Sequence, residues 1–362
     1  MQSTIQTEKI VELLRKWSEE LGFDKLTIAD LSLGEHRARY IDWIKEGLNG
    51  DMKYLERNID KRLNPSALFD GLQTIICVQM NYMTDSVKNC SEALESPKRA
   101  YISRYALGRD YHKTMRKSLK SLGANLKDYI GPFGYRVFAD SAPILERGFA
   151  EQSGMGWIGK NTMLINRENG SFFFLGEIFT DIKLPFTQTK TKNLCGSCRK
   201  CIDICPTGAI IAPYKLDARK CISYLTIENK GAIPEELRTN IGNRIFGCDD
   251  CQLCCPWNKY AKITNKEDFK PRHNLDNETL VNLFLLTEEE FEKITIGSPI
   301  RRISYEQWRR NIAVAMGNAT HDFKIIETLK IVYDNASMIV REHINWALEE
   351  QKKKKPLVNS TA

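Results

Sequence analysis

The sequence contains no apolar run of membrane-spanning length, and it opens on a polar stretch, Met1-Gln-Ser-Thr-Ile-Gln-Thr-Glu-Lys9, where a secretion signal would be apolar. A soluble, cytoplasmic protein with no membrane partner is expected. Histidine is scarce: the five in 362 residues form no cluster, which argues against a zinc or non-haem iron centre built from imidazoles. A nucleotide fingerprint in its proper setting is also missing. Gly154-Met-Gly156-Trp-Ile-Gly159 matches G-x-G-x-x-G, but it follows a predicted helix ending near Gln152 instead of following a strand and opening a helix. Its glycines are read as places where the backbone closely approaches another large flat ligand, with Lys160 and Asn161 supplying polar contacts.

What the chain has in excess is cysteine. Nine of its eleven cysteines fall between Cys195 and Cys255. The run Cys195-Gly-Ser-Cys198-Arg-Lys-Cys201-Ile-Asp-Ile-Cys205-Pro206 is the C-x2-C-x2-C-x3-C-P of two-cluster ferredoxins, in which the fourth cysteine ligates the other cluster. Cys248-Asp-Asp-Cys251-Gln-Leu-Cys254-Cys255-Pro256 supplies the second half, with Cys221 between them. Crossed ligation then assigns Cys195, Cys198, Cys201 and Cys255 to one [4Fe–4S] cluster, and Cys205, Cys221, Cys248 and Cys251 to the other. Cys254 is left over. C-x2-C pairs also bind zinc, but four cysteines in eleven residues followed by proline suit a cubane better. A disulfide framework fits a long chain without an export signal still less well. Cys77 and Cys90 lie outside the window and are read as buried or incidental.

Length and a hydrophobic content of 42% allow two or three domains with real cores. Residues 5 to 21 carry apolar residues at helical spacing, a second helix is predicted from about Glu35 to Leu48, and a basic helix from Asp110 to Tyr129. Thr74 to Tyr82, Tyr135 to Ala139 and Phe172 to Thr180 read as strands, and a helix is predicted from Pro143 to about Gln152. Strands alternating with helices over the first 185 residues argue an α/β domain. After Pro271 the texture turns helical: Arg309 to Met316, Asp322 to Tyr333 and Met338 to Glu350 resemble stacked HEAT-type units, with a tail after Lys355.

The formal charge is +7, unevenly placed. Lys183 to Arg244 holds eleven Lys/Arg against five Asp/Glu, which either compensates the negative charge of a thiolate-bound cluster or meets a phosphate backbone. Arg301-Arg302, Arg309-Arg310 and Lys352 to Lys355 have no cluster to neutralise, and read as solvated surface or a nucleic-acid patch. Two polar positions stand out earlier. Asp140, between a strand and a helix, is either that helix's N-cap or a general acid whose burial would raise its pKa. Asp110-Tyr-His112 begins like D-x-H-x-x-G, by which some cobalamin proteins present a histidine to cobalt, but position 115 is methionine. His112 is read as an ordinary surface or core histidine.

Taken together, Phe138-Ala-Asp140-Ser-Ala-Pro143, Gly156-Trp-Ile-Gly-Lys160-Asn161, the Cys195 to Pro206 run, Cys221-Ile-Ser223-Tyr-Leu-Thr226 and Cys248-Asp-Asp-Cys251-Gln-Leu-Cys-Cys255-Pro-Trp257-Asn258 resemble the epoxyqueuosine reductase family. The resemblance spans residues 60 to 260 in the family's order. It implies an oxidoreductase that removes the epoxide oxygen of epoxyqueuosine at the wobble position of tRNA, the last step of queuosine biosynthesis. The implied cofactors are base-off cobalamin and two [4Fe–4S] clusters. The implied fold is a nitroreductase-like, reductive-dehalogenase-like cobalamin-binding core over 1–185, a ferredoxin-like domain over 186–262 and a HEAT-like tRNA-binding segment over 270–362. The family's proton donor falls on Asp140, and its cofactor contacts on Arg62, Ser103, Asp140, Lys160, Ser223 and Asp249. The family pattern has no cysteine at position 254, in agreement with the thiol left over. Expected tRNA contacts are Arg301, Arg302, Arg309 and Arg310, with Lys230, Arg238 and Arg244 flanking the loop. A monomer is expected, acting on tRNAs for histidine, tyrosine, asparagine and aspartate with an unidentified electron donor. A reductive dehalogenase of small molecules, a di-cluster electron-transfer protein and a non-catalytic RNA-binding iron–sulfur protein are the competing readings; the first leaves the basic helical end unused, the second leaves Asp140 a mere cap, and the third would bind tRNA whatever its base.

Overall fold

The computed structural model describes residues 2–85, 90–187 and 191–354; Lys355 and the tail beyond it lie outside them. Four strands, β1 (Lys25–Ala29), β2 (Thr74–Asn81), β4 (Tyr135–Phe138) and β7 (Phe173–Thr180), form one sheet in the order β1-β2-β7-β4. The shorter β3 (Tyr101–Ile102), β5 (Trp157–Ile158) and β6 (Leu164–Ile165) fall between them in the chain. Every neighbouring pair in the four-stranded sheet is antiparallel, which departs from an α/β expectation. Helical excursions do separate the strands, but β7 returns between β2 and β4, so within this sheet no strand lies beside one of its own direction. Alternation along the chain does not specify the order of insertion.

β2 is buried along its whole length because both faces of the sheet are covered. Ile76, Val78 and Met80 face the helices Gln2–Glu20 and Tyr111–Ile130, in one core with Leu14, Met115, Leu119, Leu122 and Leu126. Ile75 and Cys77 face the other way, with Phe149 from the helix Glu146–Gln152 and with Phe138 and Phe179. This alternation is the two-residue period of a strand. Asp110 caps the Tyr111–Ile130 helix by accepting the His112 N–H at 3.1 Å. Gly123 lets that helix close on β4, since a Cβ there would overlap the Tyr135 ring.

A third core joins the cluster segment to the helical end. The helices Tyr305–Asn318, Phe323–Tyr333 and Met338–Lys353 contribute Trp308, Ile312, Leu329, Val340 and Ile344; the cluster segment contributes Ile222, Leu225 and Phe246. Ala100, Ile102 and Leu107 belong to this same core. They arrive there because β3 pairs in parallel with β10 (Arg244–Phe246), which follows the hairpin β8 (Ile210–Ala212) and β9 (Lys215–Leu216). A boundary at residue 185 is therefore crossed by the chain, and the cluster and helical segments do not carry separate cores.

Arg310 is central to this junction, not part of its surface. Its side chain is wholly buried and donates to the carbonyls of Leu225 at 2.8 Å, Asn229 at 2.7 Å and Gly231 at 2.6 Å. Asn311 beside it donates to the carbonyls of Thr226 at 2.8 Å and Ile245 at 2.9 Å. A buried guanidinium without a carboxylate partner is tolerated because these carbonyls replace water; burial still pulls its pKa down to about 10. Arg310→Met should remove a donor from three carbonyls, of which Asn229 keeps Gln307 Nε2 at 3.1 Å, and cost about 2 kcal/mol or more, whereas Lys230→Ala at the exposed surface should stay within about 0.5 kcal/mol. Chemical denaturation of the two variants checks the contrast.

Candidate active site

Asp140 sits just past the end of β4 with φ of 58°, a left-handed conformation uncommon for a residue with a side chain. It is not a helix cap: the helix begins at Glu146 behind Leu145, with no side-chain cap. Instead its Oδ2 accepts from the Tyr111 hydroxyl at 2.5 Å and meets His112 Nε2 at 3.1 Å. His112 Nδ1 lies 2.7 Å from Asp110 Oδ1, so the imidazole is held between two carboxylates. Tyr111 stacks on Phe174 of β7, with centroids 4.0 Å apart, and on His112 at 4.2 Å. The first turn of one helix thus aims two donors at a single oxygen of Asp140, and Oδ1 takes part in neither bond.

This overturns two expectations. His112 is not an incidental histidine, and Asp140 does not titrate high. Burial pushes the Asp140 carboxyl up, but the hydrogen bonds from His112 and Tyr111 and the charges of His112 and Arg302 outweigh it, so its pKa lies below the usual carboxylate range. His112 moves oppositely: burial pulls it down, yet the bonds to Asp140 and Asp110 leave it raised. Each group of the pair thus favours the charged form of the other.

Arg302 comes to the same place from the helical end. Its Nε donates to Glu228 at 2.7 Å and its guanidinium lies over the Tyr54 ring, 5.6 Å from the centroid. Tyr105 lies within electrostatic reach of Asp140, Asp249, Arg302 and Glu228, which ties this corner to the cysteine segment.

The cysteines fall into two neighbourhoods, with Cys254 near members of both. Burial first, then the mutual repulsion of Cys195, Cys255 and Cys198, pushes the Cys201 thiol up. Likewise the Cys251 thiol is raised by burial and then by Cys221, Cys254 and Cys205. Cys254 neighbours Cys201, Cys255 and Cys198. Cys248 instead donates to Asp250 Oδ2 at 2.8 Å, and Asp250 is gripped by Arg244. Among the described residues no three such side chains converge tightly enough for a single metal ion. Thiols that destabilise one another's charged form are the donor set a multi-iron cluster neutralises.

Other expected contacts divide by burial. Arg62 has a buried Nε with no partner, and Lys160 Nζ donates to the carbonyls of Gly196 at 2.7 Å and Cys198 at 2.8 Å beside the first thiol group. Ser223, half-buried, precedes the π-helical turn Tyr224–Glu228. Asp249 is committed internally, accepting from Ser103 Oγ at 2.5 Å, the Tyr101 hydroxyl at 2.7 Å and the Arg104 N–H at 2.9 Å, so neither it nor Ser103 offers a free side chain. The glycines near 156 serve the protein's own hairpin: a Cβ on Gly156 would collide with the Ile165 carbonyl oxygen. A polar cavity of about 370 Å³, with the His36–Glu151 pair at 2.8 Å, includes none of these residues.

Of the cations expected to meet tRNA, Arg310, Arg238 and Arg244 are taken up by the fold. Arg238 is buried and donates to the Ile233 carbonyl and Glu342; Arg244 clasps Asp250. Arg309 lies over the rings of Phe284 and Tyr305. Lys230, Arg301 and Arg302 are exposed, as is Lys352, which pairs with Glu349. The Tyr111–Ile130 helix adds an exposed stripe of Lys113, Arg116, Lys117 and Lys120, and Arg116 donates to Ser141 beside Asp140. No helix among the described residues is long and apolar enough to cross a membrane.

Residues 194–258 match the 4Fe-4S double cluster binding domain, and residues 62–141 match the model described as epoxyqueuosine reductase QueG, DUF1730. The chain is 51% identical over 340 residues to the epoxyqueuosine reductase of Pseudomonas aeruginosa, covering 94% of each. It is 47% identical to that of Escherichia coli, covering 97% of this chain and 92% of the other. A Bacillus subtilis epoxyqueuosine reductase structure, with an aspartate catalytic loop swung out of its active site, superposes with a TM-score of 0.84 at 28% identity, covering 95% and 91%. An epoxyqueuosine reductase with an epoxyqueuosine-modified tRNA-Tyr stem loop gives 0.80 at 27% identity, covering 96% and 100%.

Anaerobically reconstituted protein is expected to bind about eight irons. Cys255→Ala and Cys205→Ala should each remove about half, from different clusters, as resolved by electron paramagnetic resonance. Disappearance of the same signal in both variants would refute crossed ligation.

Proposed function

The chain belongs to the epoxyqueuosine reductase family, and on that premise we propose that it removes the epoxide oxygen of epoxyqueuosine at the wobble position of tRNA, leaving queuosine. One observation carries the reading: Asp140 Oδ2 is held by Tyr111 and His112 while Oδ1 is left clear of both bonds. A carboxyl so oriented presents one oxygen to a departing alkoxide, and the imidazolium behind it holds the proton. As the alkoxide takes the proton that Oδ1 carries in the reacting state, His112 Nε2 passes its own to Oδ2, so the carboxyl loses one proton and gains one; Tyr111 fixes the carboxyl plane, and Asp110 orients the ring.

The two thiol groups would hold two [4Fe–4S] clusters, divided between them as the crossed spacing assigns. A corrinoid suits the remaining donors: Arg62, with its unpartnered buried Nε, Lys160 and Ser223 would hold it. When bound it supplies low-potential two-electron reduction at carbon, replenished by the clusters. The protein's own part is to seat the nucleoside, keep the proton on His112 and Asp140, and hold the RNA. For that hold we assign Lys113, Arg116, Lys117 and Lys120 together with Arg301 and Arg302, since Arg116 and Arg302 lie beside Asp140 and the others are exposed on the same two elements. Phosphate contacts of this kind set affinity and salt dependence.

Asp140→Asn should retain tRNA binding and abolish deoxygenation, read as tRNA that keeps its oxygen in mass spectrometry. Wild-type turnover should fall as pH rises through the raised pKa of His112, because the stored proton leaves there. In His112→Asn, Asp140 is without its cation and must carry the proton itself, so turnover at neutral pH should drop and recover toward acid pH. Replacing Lys117 and Lys120 with Glu should weaken tRNA binding and reduce the salt slope by roughly one for each phosphate no longer neutralised, with cluster absorbance unchanged.

A further inference from the structure

Beneath the Asp140 loop lie two carboxyls for which the reaction has no direct use. Glu177 stands in β7, fully buried, opposite Cys77 of β2 and Phe138 of β4. Neither of its oxygens has a donor partner. It faces the core shared with the Glu146–Gln152 helix, and its carboxyl is within hydrogen-bonding reach of Glu146. Glu146 Oε1 in turn accepts the backbone N–H of Asp140 at 2.5 Å. Two carboxylates so placed, one fully buried and one half-buried, repel each other when both are ionised, and a proton on one of them removes the repulsion.

We propose that Glu146 and Glu177 are positioning residues for Asp140: they share one proton, and the singly charged pair anchors the Asp140 backbone and holds its loop in the left-handed conformation. This rests on the catalytic role given to Asp140 above. Glu177 is the protonated member, since it is fully buried without a donor, whereas Glu146 accepts the Asp140 N–H, which favours its ionised form. Burial first, then the neighbouring carboxylates, pushes both above the usual range. The other ionisable groups facing the pair are Asp140 on its loop, Tyr111 on the basic helix, Cys77 on β2 and Arg147 on the same helix as Glu146. Of these only Arg147 is cationic, so the surroundings favour keeping the proton. Its departure would set two anions against each other, displace Glu146 and release the Asp140 N–H.

The test has a spectroscopic arm that needs neither cofactor nor substrate. Infrared spectra of the full-length protein should show a buried protonated-carboxyl band at neutral pH that titrates away in alkali and is missing from Glu177→Gln. Absence of that band in the wild type, or its persistence in Glu177→Gln, overturns the shared proton whatever the enzyme's substrate. In the kinetic arm, Glu146→Ala should lower kcat on the order of a hundredfold, as for a reacting group displaced by about 1 Å. KM for tRNA and cluster absorbance should stay unchanged, and Glu146→Gln, which keeps the acceptor oxygen, should rescue most of the activity. Equal kcat in Glu146→Ala and wild type overturns the anchoring role. If the infrared band behaves as expected but no variant or wild type deoxygenates tRNA, the assigned reaction fails and the acid pair stands.

Discussion

Like charges gathered out of water govern this molecule, and each gathering is held by something that neutralises it. Burial, and then the charge of neighbouring thiols, makes Cys201 and Cys255 harder to ionise in one group and Cys221 and Cys251 in the other. Iron is the natural counter-charge, and until it arrives every thiolate formed in the segment meets repulsion from its neighbours. Glu146 and Glu177 repeat the problem with oxygen, where a single proton suffices. Arg310 is the reverse case, one cation buried among carbonyls that stand in for solvent. Asp140 and His112 differ again: each favours the charged form of the other, so their contact needs no outside partner.

The same logic explains which cations remain free. A guanidinium that the fold needs to satisfy carbonyls or a carboxylate is withdrawn from the surface, as with Arg238, Arg244 and Arg310. The unclaimed ones sit on the outer face of the Tyr111–Ile130 helix because its inner face, Met115, Leu119, Leu122 and Leu126, packs on the sheet. Amphipathicity thereby puts a cationic stripe and the two ligands of Asp140 on one element.

Much of this is legible in the sequence. β2, β7 and the Tyr111–Ile130 helix announce themselves by local periodicity, and the cysteine groups by spacing, since ligation fixes local geometry more strongly than a core does. Asp140 stands out by its place between a strand and a helix. What escapes depends on long-range neighbours. Nothing near Glu177 in the chain says that Glu146 lies against it, and the antiparallel order of the sheet follows from where β7 inserts. The burial of Arg310 does have a local signal: Ile312-Ala-Val-Ala-Met316 is apolar on every face, which marks a helix enclosed on all sides and not one with an outward basic edge. His112 has one too, in its place on the first turn behind a capping aspartate, where an imidazole is pinned rather than free.

Tyr101 and Ile102 belong by sequence to the first third of the chain, yet they hydrogen-bond alongside Arg244–Phe246, and Ile102 with Ala100, Ala106 and Leu107 joins a core whose other buried members run from Ala218 onward. The polypeptide is stitched through itself at this seam. The iron-binding portion is therefore no detachable cassette: a hybrid that joined one relative's front to another's back would have to take both edges of the seam from the same parent, or leave its central helix with a missing wall.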